Sequence, residues 1–233
     1  MIKAILFDLD GTLRHHIPAG GEVFTDHAIS IGLPIGEEDR LRAARWEHYY
    51  FANSPEIKAD SALFKEEEKF WATFARRRLT VLGCRPSQAE EIAPQFSAYM
   101  RANHRPRVHT PEEAHTVLAA IQQAGYLLGV VSNREKPYEK ELDEIGLRQR
   151  FHFSLAGGEV KSYKPDRAIF EEALRRAETS AAETMYVGDN YFADVVGSRR
   201  AGLQPVLYDP RGLFPEADCA VIKSFDQLPN LLE

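Results

Sequence analysis

Cysteine is nearly absent from this chain: of 233 residues, only Cys84 and Cys219 are cysteines. They stand far apart, without His or Cys neighbours at ligand spacing. This argues against a disulfide framework or a zinc site and makes a reducing, cytoplasmic compartment the expectation. No apolar run approaches the length of a membrane span, so no membrane partner is expected. The first apolar segment is broken by an acid at Asp8 and does not read as a signal peptide. Positive charge is not in excess either. The 29 Lys and Arg against 35 Asp and Glu leave a net charge of −6, which argues against nucleic acid as a partner. No repeat or low-complexity segment occurs. The 44% hydrophobic and 27% charged content is that of a soluble globular protein. The length suits one large domain or two modest ones.

What is present begins with Ile2-Lys3-Ala4-Ile5-Leu6-Phe7-Asp8-Leu9-Asp10-Gly11-Thr12-Leu13. An apolar strand runs straight into two carboxylates, a glycine and a hydroxyl. At period two, Asp8 and Asp10 project to the same side. Carboxylates so placed repel unless a cation or a shared proton separates them. They suit a divalent metal, one nucleophile and one proton carrier. Gly11 permits a sharp turn, and Thr12 offers a backbone N–H and a hydroxyl to an anion.

From Thr110 onward strands and helices alternate. Thr110-Pro111-Glu112-Glu113 reads as a capping box starting a helix to about Ala124. A buried strand follows at Tyr126–Ser132, then a helix from Pro137 to about Ile145 and a short strand at His152–Ala156. Further on come a helix over Pro165–Ala177, a strand at Thr184–Asp189, a helix over Phe192–Ala201 and a strand at Pro205–Tyr208. A final helix is expected from Ser224, with a second capping box. This alternation predicts an α/β fold, a doubly wound parallel sheet. Ligands bind beyond the carboxyl ends of such strands, where Asp8, Ser132 and Asp189 would converge. Residues 14–106 read instead as a helical block, with helices at Glu38–Ala52, Leu63–Gly83 and Pro86–Ala102. Ser87 is a candidate cap for the third and Pro94 a kink within it. The expected division is 1–13 with 107–233 as the core and 14–106 as an inserted all-α domain, hinged at Arg14–Gly21 and Arg105–His109.

Four polar clusters stand at strand tips or beside them: Asp8-Leu9-Asp10-Gly11-Thr12, Ser132-Asn133, Lys164-Pro165, and Gly188-Asp189 with Asp194. In this order and spacing the chain resembles the haloacid dehalogenase-like superfamily, in its phosphatase form with a helical cap after the first motif. The resemblance covers residues 1–13 and 107–233, and the insert only in kind. It implies that Asp8 is the nucleophile and forms an aspartyl-phosphate, and that Asp10 protonates the leaving alcohol and then activates water. It further implies an Mg²⁺ held by Asp8, Asp189, Asp194 and the Asp10 carbonyl. Phosphate oxygens would be held by Ser132, Thr12, the Asn133 backbone and Lys164, which also neutralises the nucleophile. Taken singly, each has a plainer use: Ser132 and Asn133 end a strand, Lys164 is a solvated lysine, Asp189 caps a helix, and Asp194 is a first-turn acid.

Dehalogenases of this family lack the second carboxylate, so Asp10 favours phosphate chemistry. The expected activity is hydrolysis of a small phosphorylated metabolite. A phosphomutase is disfavoured because Ala19-Gly20-Gly21 carries no base, although His15 and His16 lie close by. A non-catalytic phosphometabolite-binding protein is the other alternative. Arg14, His15 and His16 are candidate substrate contacts at the start of the insert. Trp46, Tyr49 and Tyr50, with Phe70, Trp71 and Phe74, read as core of the helical block. Arg76-Arg77-Arg78 reads as a solvated face. Asn190, Tyr191 and Phe192 either point toward the insert or pack beneath their loop. Monomer and weak homodimer are both left open.

Overall fold

The computed structural model describes residues 1–64 and 66–232. Strands β1 (Ala4–Phe7) and β2 (His15–Ile17) are followed by α1 (Gly20–Ser30), α2 (Glu37–Phe51), α3 (Pro55–Leu63), α4 (Glu67–Val81) and α5 (Pro86–Asn103). Then come β3 (Arg107–His109), α6 (Glu112–Gln123), β4 (Leu127–Ser132), α7 (Glu139–Glu144), β5 (Phe153–Ala156), α8 (Gly157–Val160) and α9 (Arg167–Ala177). The remainder is β6 (Thr184–Gly188), α10 (Val196–Arg200), β7 (Gln204–Tyr208) and β8 (Ala220–Ile222). Two compact units result: Met1–His15 with Val108–Glu233, and His16–Arg107.

The first unit holds a six-stranded sheet in the order β5-β4-β1-β6-β7-β8, parallel throughout. Period-two alternation of apolar residues gives it two buried faces. Ile5, Phe7, Val130 and Val187 pack with Ala114, Val117, Leu118 and Ile121 of α6. Leu6, Val131, Leu155 and Tyr186 pack on the other side with Ile169, Phe170 and Ala173 of α9. From β1 the chain builds outward through β4 and β5, then returns to β6 on the opposite flank. The order therefore reverses beside β1, where α/β sheets open their ligand crevice. Register sharpens this, because Phe7 pairs with both Val130 and Val187. Asp8, Ser132 and Asp189 thus leave the sheet within two residues of one aligned row.

The second unit is built on α1 to α5, around Phe24, Ala28, Ala43, Ala75, Leu79, Ala89, Ala93 and Phe96. Trp46, Tyr50 and Phe74 lie ring to ring at 5.1–5.6 Å, as core residues do. Arg77 and Arg78 are not the solvated face expected of them. Arg77 forks onto buried Asp60 at 2.7 and 2.8 Å, and Arg78, 2% exposed, pairs with Glu47. A third residue, Arg76, does face outward with Glu90.

Several elements differ from expectation. Helix α1 begins at Gly20-Gly21, a pair that reads as loop because glycine disfavours helix. A Cβ at Gly21 would stand 2.7 Å from Arg78 Nη2 and Glu47 Oε2, so close packing explains the glycine. Helix α3, outside the three expected helices, has a local start signal of its own: Ser54 Oγ accepts the Ile57 N–H at 3.2 Å and Pro55 opens the helix. The segments expected to be hinges carry short strands, β2 and β3, which pair as a ribbon. Helix α5 starts after Arg85, not at a Ser87 cap, and continues across Pro94. Thr110 caps nothing, because α6 starts after Pro111 and Glu113 is instead bonded by Ser224 Oγ at 3.1 Å. The final helix is replaced by single turns at Phe225–Gln227 and Pro229–Leu231. Pro229 has no N–H with which to continue the first turn as an α-helix.

Candidate active site

Asp8 follows the last residue of β1 and is 6% exposed. Its N–H still donates to Val187 O at 2.9 Å, so the sheet fixes its backbone. Its Oδ1 accepts Lys164 Nζ at 2.6 Å. That ammonium also donates to Asp194 Oδ1 at 2.7 Å and to the Tyr186 hydroxyl at 2.9 Å, which uses all three of its protons. Lys164 is 2% exposed, the opposite of a solvated loop lysine. Burial opposes its charge, but Asp194 and Asp8 outweigh burial and hold it protonated well above the ordinary lysine range.

Asp189 and Asp194 come from the tip of β6 and the wide turn after it, Tyr191–Val195. The turn is capped by Asn190, whose Oδ1 accepts the Phe192 and Ala193 N–H groups at 3.0 Å each. Asp189 is thereby released from capping. Asp194 Oδ2 accepts the Asn190 N–H at 2.9 Å. Two glycines make room for these carboxylates. Gly11, at φ +99°, has no space for a Cβ beside the Asp189 carboxylate, and Gly188 has none beside Asp194. One oxygen from each of Asp8, Asp189 and Asp194 lies within 4.8 Å of the others. Burial pushes Asp8 up to about 7, against the opposing pull of Lys164 and with smaller help from the charge on Asp194. Burial, then repulsion from Asp8 and Asp194, hold Asp189 well above the usual carboxylate range.

Thr12 is fully buried, and its hydroxyl works within the protein. It accepts the Asp189 N–H at 3.0 Å and lies 3.3 Å from Asp189 Oδ1 and 3.5 Å from Asp8 Oδ2. A contact from Thr12 to an anion therefore falls to its backbone N–H. Ser132, 3% exposed, ends β4. The Asn133 side chain is committed to Lys164: Nδ2 donates to Lys164 O at 2.8 Å and Oδ1 accepts Lys164 N–H at 2.6 Å.

Asp10 departs from the expected placement. The strand stops at Phe7, so period-two geometry does not carry to Asp10. Its carboxylate lies outside the three-carboxylate group and accepts bonds from Arg14 and Arg134. Burial raises its proton affinity, but the Arg134 and Arg14 guanidiniums outweigh burial and lower it. Any share for Asp10 in a metal site belongs to its backbone carbonyl.

His15 Nε2 lies 3.0 Å from the Thr12 carbonyl oxygen, with the ring packed edge-on to Tyr208. Burial holds its proton affinity below the ordinary range, and the Thr12 contact offsets this only in part. His16 belongs to the helical unit and lines a cavity of about 560 Å³ there, with Trp71, Arg78 and His104. Tyr191 and Phe192 pack against Phe214 beneath their own loop. Sequence reasoning missed Tyr186 and Arg134, and gave Asn190 a place in its loop but not its capping role. Tyr186 looks like an ordinary strand aromatic. The capping role of Asn190 was hidden by its acidic neighbour, and Arg134 by its place one residue beyond a short motif.

A family model for haloacid dehalogenase-like hydrolases matches residues 62–207. A phosphoserine phosphatase of Thermus thermophilus is 31% identical, over 92% of this chain and 91% of its own length. A ribulose-1,5-bisphosphate 5-phosphatase of Halopiger xanaduensis is 27% identical, over 90% of this chain and 86% of its own. Among solved structures, a 2-haloacid dehalogenase of Pseudomonas syringae pv. Tomato aligns with TM-score 0.58 and 28% identity, over 100% of this chain and 98% of the other. The fold built around β1 and the sequence itself therefore lead to the same place: this chain belongs to the haloacid dehalogenase-like hydrolases.

Proposed function

We propose that this protein is a Mg²⁺-dependent phosphomonoesterase that hydrolyses a small phosphorylated metabolite through an aspartyl-phosphate on Asp8. The carrying observation is the nucleophile's setting. Asp8 is fixed at the strand tip, held by Lys164, beside two further buried or half-buried acids. The phosphatases among its relatives support the same reading. Asp8, Asp189 and Asp194 bring three negative charges against the single charge of Lys164, a balance that suits a divalent cation. Bound there, Mg²⁺ would neutralise phosphate oxygens and the developing charge.

The protein's own groups do the rest. Asp8 attacks phosphorus, the bond from phosphorus to the ester oxygen breaks, and the leaving oxygen takes a proton from Asp10. Water then attacks the phosphoryl group, gives a proton to Asp10, and releases Asp8 and inorganic phosphate. An incoming phosphate dianion raises the proton affinity of Asp10 by repulsion, so the acid form belongs to the substrate complex. Lys164 holds Asp8 in place and compensates charge during transfer. Ser132, the Thr12 N–H and the Asn133 backbone hold phosphate oxygens. Residues 16–107 form the cap in this reading, supported by their separate core.

The test is hydrolysis of p-nitrophenyl phosphate and a panel of phosphorylated metabolites with Mg²⁺ or EDTA, beside Asp8→Asn. Turnover should require both Mg²⁺ and Asp8, and the variant should lose at least about 10³-fold in kcat. Near-wild-type turnover by Asp8→Asn would overturn the mechanism. Chloride release from 2-chloropropionate, the dehalogenase outcome, should be absent because the proton carrier Asp10 has no use in that reaction.

A further inference from the structure

Residue 134 stands one position beyond the Ser132-Asn133 pair. Arg134 Nε donates to Asp10 Oδ2 at 2.8 Å and Nη2 donates to Oδ1 at 3.1 Å, a two-pronged fork on one carboxylate. Its remaining nitrogen, Nη1, donates to Glu141 Oε1 of α7 at 2.8 Å. Arg14 Nη1 adds a third bond to Asp10 Oδ1, also at 2.8 Å. The loop beneath is fixed. The Arg134 carbonyl accepts the Gly158 N–H at 3.1 Å, and Gly158 is packed so closely on Glu135 that no Cβ fits. Asn133, directly before it, holds the backbone of Lys164.

Salt bridges of partly exposed groups contribute little to stability as isolated pairs. This one differs in geometry. The Asp10 side chain is 41% exposed and follows a turn, so unaided it would sample several rotamers. The planar guanidinium fixes it in two directions, and Glu141 fixes the guanidinium in turn.

We propose that Arg134, braced by Glu141, is a positioning residue that aims the Asp10 carboxylate at the ester oxygen, so that one loop sets both the lysine on the nucleophile and the proton carrier. This rests on Asp10 being the acid–base group of the reaction proposed above. Arg134 itself neither attacks nor carries the proton, and its removal would leave Asp10 present but unaimed.

The experiment compares kcat/KM on two esters with Mg²⁺. Glycerol 2-phosphate has a leaving alkoxide that needs a proton, whereas 2,4-dinitrophenyl phosphate releases a stable phenolate that does not. Arg134→Met should lose about 10- to 100-fold in kcat/KM on the alkyl ester and less than about threefold on the aryl ester, because kcat/KM reports the first transfer. By contrast, kcat on both esters also carries the Asp10-assisted hydrolysis of the aspartyl-phosphate and should fall. Arg134→Lys keeps the charge without the fork and should recover only a small part. Asp10→Asn should show the same preference between esters, and adding Arg134→Met to it should change nothing further. Equal losses of kcat/KM on both esters, a change confined to KM, or full rescue by lysine would each overturn the proposal. If the wild-type protein hydrolyses neither ester nor any member of the metabolite panel, the phosphatase reading itself fails, and this proposal with it.

Discussion

Asn133 and Lys164 are joined twice, the side-chain amide of one spanning the backbone N–H and carbonyl of the other at 2.6 and 2.8 Å. The tip of β4 thereby fixes the segment that delivers the lysine to Asp8. Asn133→Ala should remove both bonds, cost about 1–3 kcal/mol and, by loosening Lys164, lower kcat about 10- to 100-fold. Asn133→Asp should be worse, since it sets a carboxylate oxygen against the Lys164 carbonyl. Thermal unfolding and steady-state kinetics check both, and an Asn133→Asp protein with wild-type kcat would dissociate the amide from the site.

Lys164 lies between Asp8 and Asp194 with 2% exposure. Lys164→Met would leave two buried carboxylates without their cation, a loss of about 3–5 kcal/mol. In the metal-free protein that corresponds to a Tm lower by roughly 6–20 °C. Mg²⁺ should restore part of the Tm by replacing the lost charge, but not turnover, because the ammonium on Asp8 is gone. Calorimetry with EDTA and with Mg²⁺ measures this, and a variant as stable as wild type would show the three charges to be uncoupled.

The sheet was legible because each of its central strands is a short apolar run with a polar tip, and parallel pairing needs nothing more to align the tips. Asp8, Ser132 and Asp189 were legible together for the same reason, whereas Lys164, beyond α8, and Asp194, inside the turn after β6, entered only through the resemblance of the motifs. What was lost in the sequence depends on contacts between distant segments. Gly20-Gly21 reads as a loop until Arg78 and Glu47 are seen to need the space. Arg78 reads as one of three surface arginines until Glu47 is seen beside it. The direction of the Asp10 carboxylate is set by Arg134, 124 residues away, and no local pattern announces that pairing. The β8 strand, Ala220–Ile222, is apolar but only three residues long at the sheet edge, too short for its pattern to read as a strand.

Asp189 offers the clearest test of the charge balance. Burial, then Asp8 and Asp194, hold its proton affinity well above that of an ordinary carboxylate, and Asp8 is pushed up to about 7. Both groups bind protons more tightly folded than unfolded. The cost of ionising them is therefore absent below about pH 4 and grows as pH rises toward 7 and beyond. Metal-free protein should lose stability from this cluster across that window. Asp189→Asn removes one charge and keeps an acceptor for Thr12. Without metal at pH 8 the variant should melt about 2–4 °C above wild type, a gain of about 1 kcal/mol once solvent at this half-buried site is allowed for. At pH 4.5 the two should melt together. Saturating Mg²⁺ should reverse the order at pH 8, because the ion stabilises the wild-type cluster in proportion to its affinity and the variant has lost a ligand. Unfolding curves at the two pH values, each with EDTA and with Mg²⁺, decide the matter. Identical curves for both proteins would mean that Asp189 neither carries excess charge nor meets the ion.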